Sequence, residues 1–180
     1  MKLDVLPSSK PWYAEGLKFT CTQCGNCCTG GPGYVWISDE EVGRLAEFLK
    51  LTPRDVYSKY CRKVGGRWTL NEHRTPEGMY DCVFLTEIET PRPKGKELAP
   101  GQFVPMKRRG CSIYPVRPLQ CRTWPFWEPN LSSKEAWDVA GKKCPGLNRG
   151  SRRFSAAQIE ALRDAKEWPT DAPGSKYEKK

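Results

Sequence analysis

Residues 21–28 read CTQCGNCC, which places four cysteines in eight positions and makes neighbours of Cys27 and Cys28. A Cys-x-x-Cys loop lets two sulfurs converge on one ion while backbone amides point at them. Here the spacing repeats. Cys21, Cys24 and Cys27 form a triad, and Gly25 relaxes the backbone between chelating positions. A triad with one remote cysteine suits a four-iron cluster, and it would also serve zinc with a distant fourth ligand. The doublet needs its own explanation. In extended backbone, adjacent side chains project to opposite sides, so Cys27 and Cys28 are expected to face apart and serve different sites.

Four remote cysteines complete the pattern. Cys82 lies in an apolar strand, Cys111 and Cys121 bracket a proline-containing turn, and Cys144 precedes Pro-Gly. With Cys21, Cys24, Cys27 and Cys28 they make eight, enough for two four-thiolate sites or one polynuclear site. One site with several packed cysteines, or no metal at all, are the alternatives, because unligated cysteine is often buried. Cys61 is set aside as a bystander at a helix end, beside Arg62 and Lys63. The one histidine, His73, reads as a surface residue in the polar loop NEHRTPEG. No Ser/His/Asp grouping, phosphate loop or zincin helix is visible, so no catalytic residue is assigned.

Composition bounds the rest. The chain has 180 residues, is 38% hydrophobic, and carries 16 Gly and 16 Pro, which suits one domain with a thin core and much irregular backbone. An odd cysteine count of nine fits a complete disulfide framework poorly. Behind Lys2 there is no apolar run, and no stretch has the length of a membrane span. The expectation is a cytoplasmic protein with reduced thiols and no membrane association. The formal charge of +9 would suit nucleic acid, but two four-thiolate dianions would lower it to about +5. Nucleic acid is therefore disfavoured as a partner. A protein partner of unknown identity fits better, and the oligomeric state is not legible.

The spacing predicts short elements. Residues 1–18 read as an N-terminal arm with Trp12, Tyr13 and Leu17. Phe19 enters a short strand, and residues 34–37 form a second. Ser38 with Glu41, Thr52 with Asp55 behind Pro53, and Ser155 with Gln158 each carry the grammar of a helix N-terminus. Val42, Leu45, Ala46 and Leu49 supply an apolar face for the first of these helices, Val56 and Tyr60 for the second, Ile159 and Leu162 for the last. Strands are expected in RWTL and MYDCVFL, on either side of the His73 loop. Residues 86–110 read as a solvated insertion, a long hairpin with QFVPM as its returning arm. Residues 169–180 read as a disordered tail.

FTCTQCGNCC, CVFL, GCSIYPVRPLQCRTWPF and CPGLNRG, in this order, resemble the CxxCxxCC cysteine-cluster proteins, the YkgJ-like family of zinc- or iron-chelating domains. The resemblance covers most of residues 19–150. It implies the same eight cysteine ligands and marks Arg117, Pro118, Arg122, Pro125 and Phe126 as motif residues around Cys121. Pro115, Pro118 and Pro125 would stiffen the loop. Arg117 and Arg122 would donate to thiolates or backbone carbonyls, and Trp124 and Phe126 would either shield the metal or serve as ordinary core. Members of this family are often labelled iron–sulfur oxidoreductases, and a flagellin lysine methylase carries a similar block, although 180 residues are too few for that enzyme.

The resulting expectation is an α+β fold, a small irregular metal-stabilised domain with short strands and about three helices. Its parts would be an arm at 1–18, the cysteine-cluster domain at 19–150 and a C-terminal helix and tail at 151–180. Its function would be an iron–sulfur centre for electron transfer or redox sensing, with iron–sulfur oxidoreductase as the enzymatic form. A zinc-stabilised interaction module is the first alternative and a basic nucleic-acid-binding protein the second. The cofactor is an iron–sulfur cluster or zinc.

Overall fold

A computed structural model of the chain describes residues 10–89 and 107–165. In chain order these form β1 (Leu17–Lys18), β2 (Thr29–Gly30), α1 (Asp39–Leu49), α2 (Pro53–Tyr60), β3 (Cys61–Val64), β4 (Arg67–Leu70), β5 (Glu72–Arg74) and β6 (Tyr80–Cys82). There follow β7 (Leu85–Glu89), β8 (Lys107–Cys111), α3 (Leu119–Thr123), α4 (Glu128–Leu131), α5 (Lys134–Lys143), β9 (Arg153–Phe154) and α6 (Ala156–Asp164). The fold is α+β, with mixed helices and short strands in small sheets. The described residues divide into two compact units, one built from residues 10–22 and 123–165, the other from 23–89 and 107–122.

The first unit packs around aromatic rings. Phe126 is 1% exposed and meets Phe154 at 4.7 Å, Trp137 at 5.7 Å and Phe19 at 6.0 Å between ring centroids. β1 pairs antiparallel with β9, Leu17 opposite Phe154, and both residues are buried. Tyr13 of the expected arm is buried in the same core. α6 starts with the Ser155–Gln158 capping box and buries Ile159 completely. The reading of the sequence did not include α5. Ser133 caps it by accepting from the Ala136 amide, and it buries Trp137 and Ala140. Trp124 meets Trp127 edge-on at 4.8 Å. Phe126, at least, serves as core.

The second unit holds α1 and α2 against short sheets. Both capping boxes form, Ser38 with Glu41 and Thr52 with Asp55. Val42, Leu45 and Val56 are fully buried beside Leu70, Phe84 and Ile113. Residues 34–37 make a single bridge, Trp36 to Thr69, instead of the expected strand. Side chains replace the ladder there: the Val35 amide donates to Thr69 Oγ1 at 3.0 Å, and the Trp36 amide donates to Gln120 Oε1 at 2.9 Å. His73 lies in β5, opposite Asp81 of β6, and not in a loop. The turn is confined to residues 75–79, closed by Thr75 and Gly78 amide hydrogen bonds, so the strand can start earlier than the polar composition suggests. The legs of the insertion pair as a hairpin, β7 with β8, from Leu85↔Cys111 to Glu89↔Lys107. QFVPM at 102–106, residues 1–9 of the arm and the 169–180 tail lie outside the described residues.

Candidate metal centre

Four elements of the second unit carry cysteines whose thiols act on one another. Cys27 and Cys28 sit on a single 3₁₀ turn, Asn26–Cys28, launched by Gly25 in the left-handed region at φ 75°. Cys82 ends β6, Cys111 ends β8, and Cys121 stands inside α3. A Cβ on Gly25 would lie 2.7 Å from Leu85 Cδ1, so the turn is pressed onto the base of the β7–β8 hairpin, beside Cys111.

The doublet does not face apart. Its backbone is helical, not extended, and the Cys27 and Cys28 sulfurs approach to 3.8 Å. At a zinc–sulfur distance of about 2.3 Å, two thiolates on one tetrahedral ion stand about 3.8 Å apart. The Cys27–Cys28 spacing equals that edge length, contrary to the extended-chain reading.

The thiols also perturb one another. The Cys28 thiol is hydrogen-bonded to Cys111 and to Cys27, and with burial this pushes it far above the ordinary thiol value. Cys111 goes the other way: the Cys28 hydrogen bond holds it below the ordinary value, helped by the Ile113 amide and by the charge of Arg117. Burial raises Cys121, and the charges of Cys82, Cys27 and Cys111 raise it further against the opposing pull of Arg117. Arg117 is held in place by donating from Nε to the Tyr114 carbonyl at 3.0 Å, with its guanidinium 3.8 Å above the Tyr114 ring. Arg122 pairs with the Glu41 carboxylate at 3.6 Å. Among the described residues, no three His, Cys, Asp or Glu side chains stand at ligand spacing for one ion.

The remaining cysteines are placed differently. Cys144 is buried in the core of the first unit, with Cys21 packed against that core. The chain around them is tightly apposed: the Thr20 amide donates to the Gly146 carbonyl, and a Cβ on Gly146 would come within 2.1 Å of the Thr20 oxygen. Cys24 is half-buried in the second unit, ahead of the 3₁₀ turn. Cys61 is buried at the α2–β3 junction, and its burial lifts the thiol to about 11. No disulfide joins any of the nine cysteines.

The donor set is sulfur throughout. Soft thiolates suit zinc and iron–sulfur centres and are poor partners for calcium or magnesium. The chain belongs to the CxxCxxCC family. Residues 20–145 match it, and it is described as a "putative zinc- or iron-chelating domain". An uncharacterized protein from Methanocaldococcus jannaschii is 26% identical over 114 residues, covering 63% of this chain and 48% of that protein. The chain thus spans about half the length of this relative. No solved structure matches significantly. The sulfurs of the CxxCxxCC domain fit a chelating role chemically, and among the described residues no helix is long and apolar enough to cross a membrane.

Proposed function

We propose that this CxxCxxCC domain carries a thiolate-bound metal centre, most of it held by Cys27, Cys28, Cys82, Cys111 and Cys121, and that the centre is an iron–sulfur cluster used for electron transfer or redox sensing. The observation that carries the reading is the contact of Cys28 with Cys27, at 3.8 Å between sulfurs, and with Cys111, where the charge of Arg117 acts on Cys111 and Cys121. The exposed Cys27 places one edge of the group at the surface, where a redox partner protein can approach. When bound, the cluster supplies one-electron chemistry. The chain's own residues supply the rest: thiolates bind, Arg117 offsets their charge, and buried Cys82 limits water. Cys24 is proposed as a further ligand of this centre, and Cys21 and Cys144 of the first unit are proposed as metal ligands in their own right, on the strength of the family motif. A reducing compartment such as the cytoplasm keeps such thiols available.

Zinc ligation in a non-catalytic interaction module is the second reading. The 3.8 Å spacing of Cys27 and Cys28 favours it, because it matches the edge of one tetrahedral ion. Nucleic-acid binding ranks third. Arg109 is engaged with Asp81 at 2.9 Å, Arg153 with the Glu15 carbonyl, and Arg152 lies over Phe154, so part of the basic surplus serves the fold.

Air-free purification followed by metal and sulfide analysis and a visible spectrum separates the first two readings. A brown, sulfide-containing protein is expected. A colourless protein with stoichiometric zinc overturns the redox reading, and one that binds neither metal overturns both.

A further inference from the structure

Glu41 is 7% exposed, and a buried carboxylate needs partners. It has them from two directions. Oε2 accepts from the Ser38 amide at 3.1 Å, closing the capping box of α1. Oε1 accepts from the Leu119 amide at 2.6 Å and lies 3.6 Å from Arg122 and 3.8 Å from Arg44. One carboxylate thus caps α1 and also receives the first amide of α3.

α3 has five residues, too few to hold a helical shape by itself. Pro118 precedes it and has no amide hydrogen to offer, while its carbonyl receives the Cys121 and Arg122 amides. The helix is therefore fixed from outside. Gln120 supplies a second tether: its Oε1 accepts from the Trp36 amide at 2.9 Å, and its Nε2 donates to the Tyr34 carbonyl at 3.1 Å. Leu119, Gln120 and Arg122 are all tied to residues outside α3, and Cys121, on which the charges of Cys82, Cys27 and Cys111 act, stands between them.

We infer that Glu41 is a positioning residue for the metal centre: its buried carboxylate fixes the start of α3 and so the place of Cys121. This rests on the thiolate-centre reading above and adds a residue with no metal-ligating role of its own. Ser38→Ala provides the matched control, since it removes the side-chain half of the same α1 cap and leaves the Leu119 contact intact.

The test uses the full chain and cobalt(II), whose thiolate absorption reports the number and geometry of sulfur ligands, with zinc in competition. Glu41→Ala is expected to weaken cobalt and zinc binding by about 10- to 100-fold and to alter the cobalt spectrum. Ser38→Ala is expected to lower the melting temperature while leaving both unchanged. Glu41→Gln, whose single amide oxygen can serve either Ser38 or Leu119 but not both, is expected to fall between. In metal-free protein, Glu41→Ala and Glu41→Gln should speed alkylation of Cys121 relative to Cys61, a readout independent of any metal. Equal effects of Ser38→Ala and Glu41→Ala, or an unchanged spectrum and Cys121 reactivity in both Glu41 variants, would overturn the inference. Failure of the unmodified protein to bind either metal, together with Glu41-dependent Cys121 alkylation, would overturn the metal reading and leave the positioning role standing.

Discussion

Gly25→Ala is the sharpest perturbation of the turn that carries the doublet. Gly25 has φ 75°, in the left-handed region. An L-residue there costs roughly 1–2 kcal/mol. The added Cβ would also lie 2.7 Å from Leu85 Cδ1, at the end of a side chain that can turn aside. An off-rotamer displacement of that kind costs about 0.5–1.5 kcal/mol. Together these give about 1.5–3.5 kcal/mol, which at about 2–4 °C per kcal/mol lowers the melting midpoint of metal-free protein by about 3–14 °C. The Cys28 amide donates to the Gly25 carbonyl at 2.9 Å, so the substitution should also weaken metal binding by displacing both sulfurs of the turn. Thermal melts and zinc competition measure the two effects. Gly25→Asn separates the causes, because Asn tolerates the left-handed region but keeps the Cβ. Gly31→Ala is the neutral control, having nothing within 4 Å of the added atom. If Gly25→Ala melted and bound zinc like the unmodified protein, the turn would not be what sets Cys27 and Cys28.

Three further outcomes are expected. Cys61, lifted to about 11 by burial, should resist alkylation until the protein unfolds. Its folded form keeps the proton while the unfolded thiol releases it near the ordinary value of 9.0, so stability is fully present below about pH 9 and falls as pH rises towards 11. The loss reaches up to about 3 kcal/mol, and Cys61→Ala should flatten that slope in denaturant titrations. Removal of the metal by a chelator should abolish or broaden the melting transition of the second unit, since structural zinc supplies on the order of 10–16 kcal/mol in small peptides against roughly 5–15 kcal/mol for a whole domain; an unchanged calorimetric melt would refute a structural centre. Phe126→Ala should cost about 3–5 kcal/mol, because the ring is 1% exposed among Phe19, Trp137 and Phe154; a loss below about 1 kcal/mol by denaturant melt would contradict the packing described.

Local grammar was the legible part of the sequence. Ser38, Thr52 and Ser155 announce their helices through contacts that span three residues, and all three boxes form. α5 escaped because Ser133 has Ala136, not Glu or Gln, at the reciprocal position; the spacing of Trp137, Ala140 and Cys144 was the available signal. β5 escaped because its three residues are polar and it is exposed beyond Glu72, which leaves no alternation to read. The cysteines were legible as a set, but not in their grouping. That Cys28 meets Cys111 depends on the β7–β8 register and on a 3₁₀ turn, and neither is encoded in the spacing of the cysteines themselves. Glu41 was visible as a helix cap only. Its second partner lies 78 positions away, and no short-range pattern names it.

The β7–β8 register also constrains how this chain can change over time. Leu85 faces Cys111 across the hairpin, and Gly110 leaves the room that Ile88 fills, since a Cβ there would come within 2.4 Å of Ile88 Cδ1. A slip of one residue would turn Cys111 to the opposite side of the ribbon. An insertion or deletion within either leg, residues 85–89 or 107–111, would therefore carry a sulfur out of the group. A protein engineer inherits the same rule: a tag or reporter spliced into either leg should cost the group a thiol.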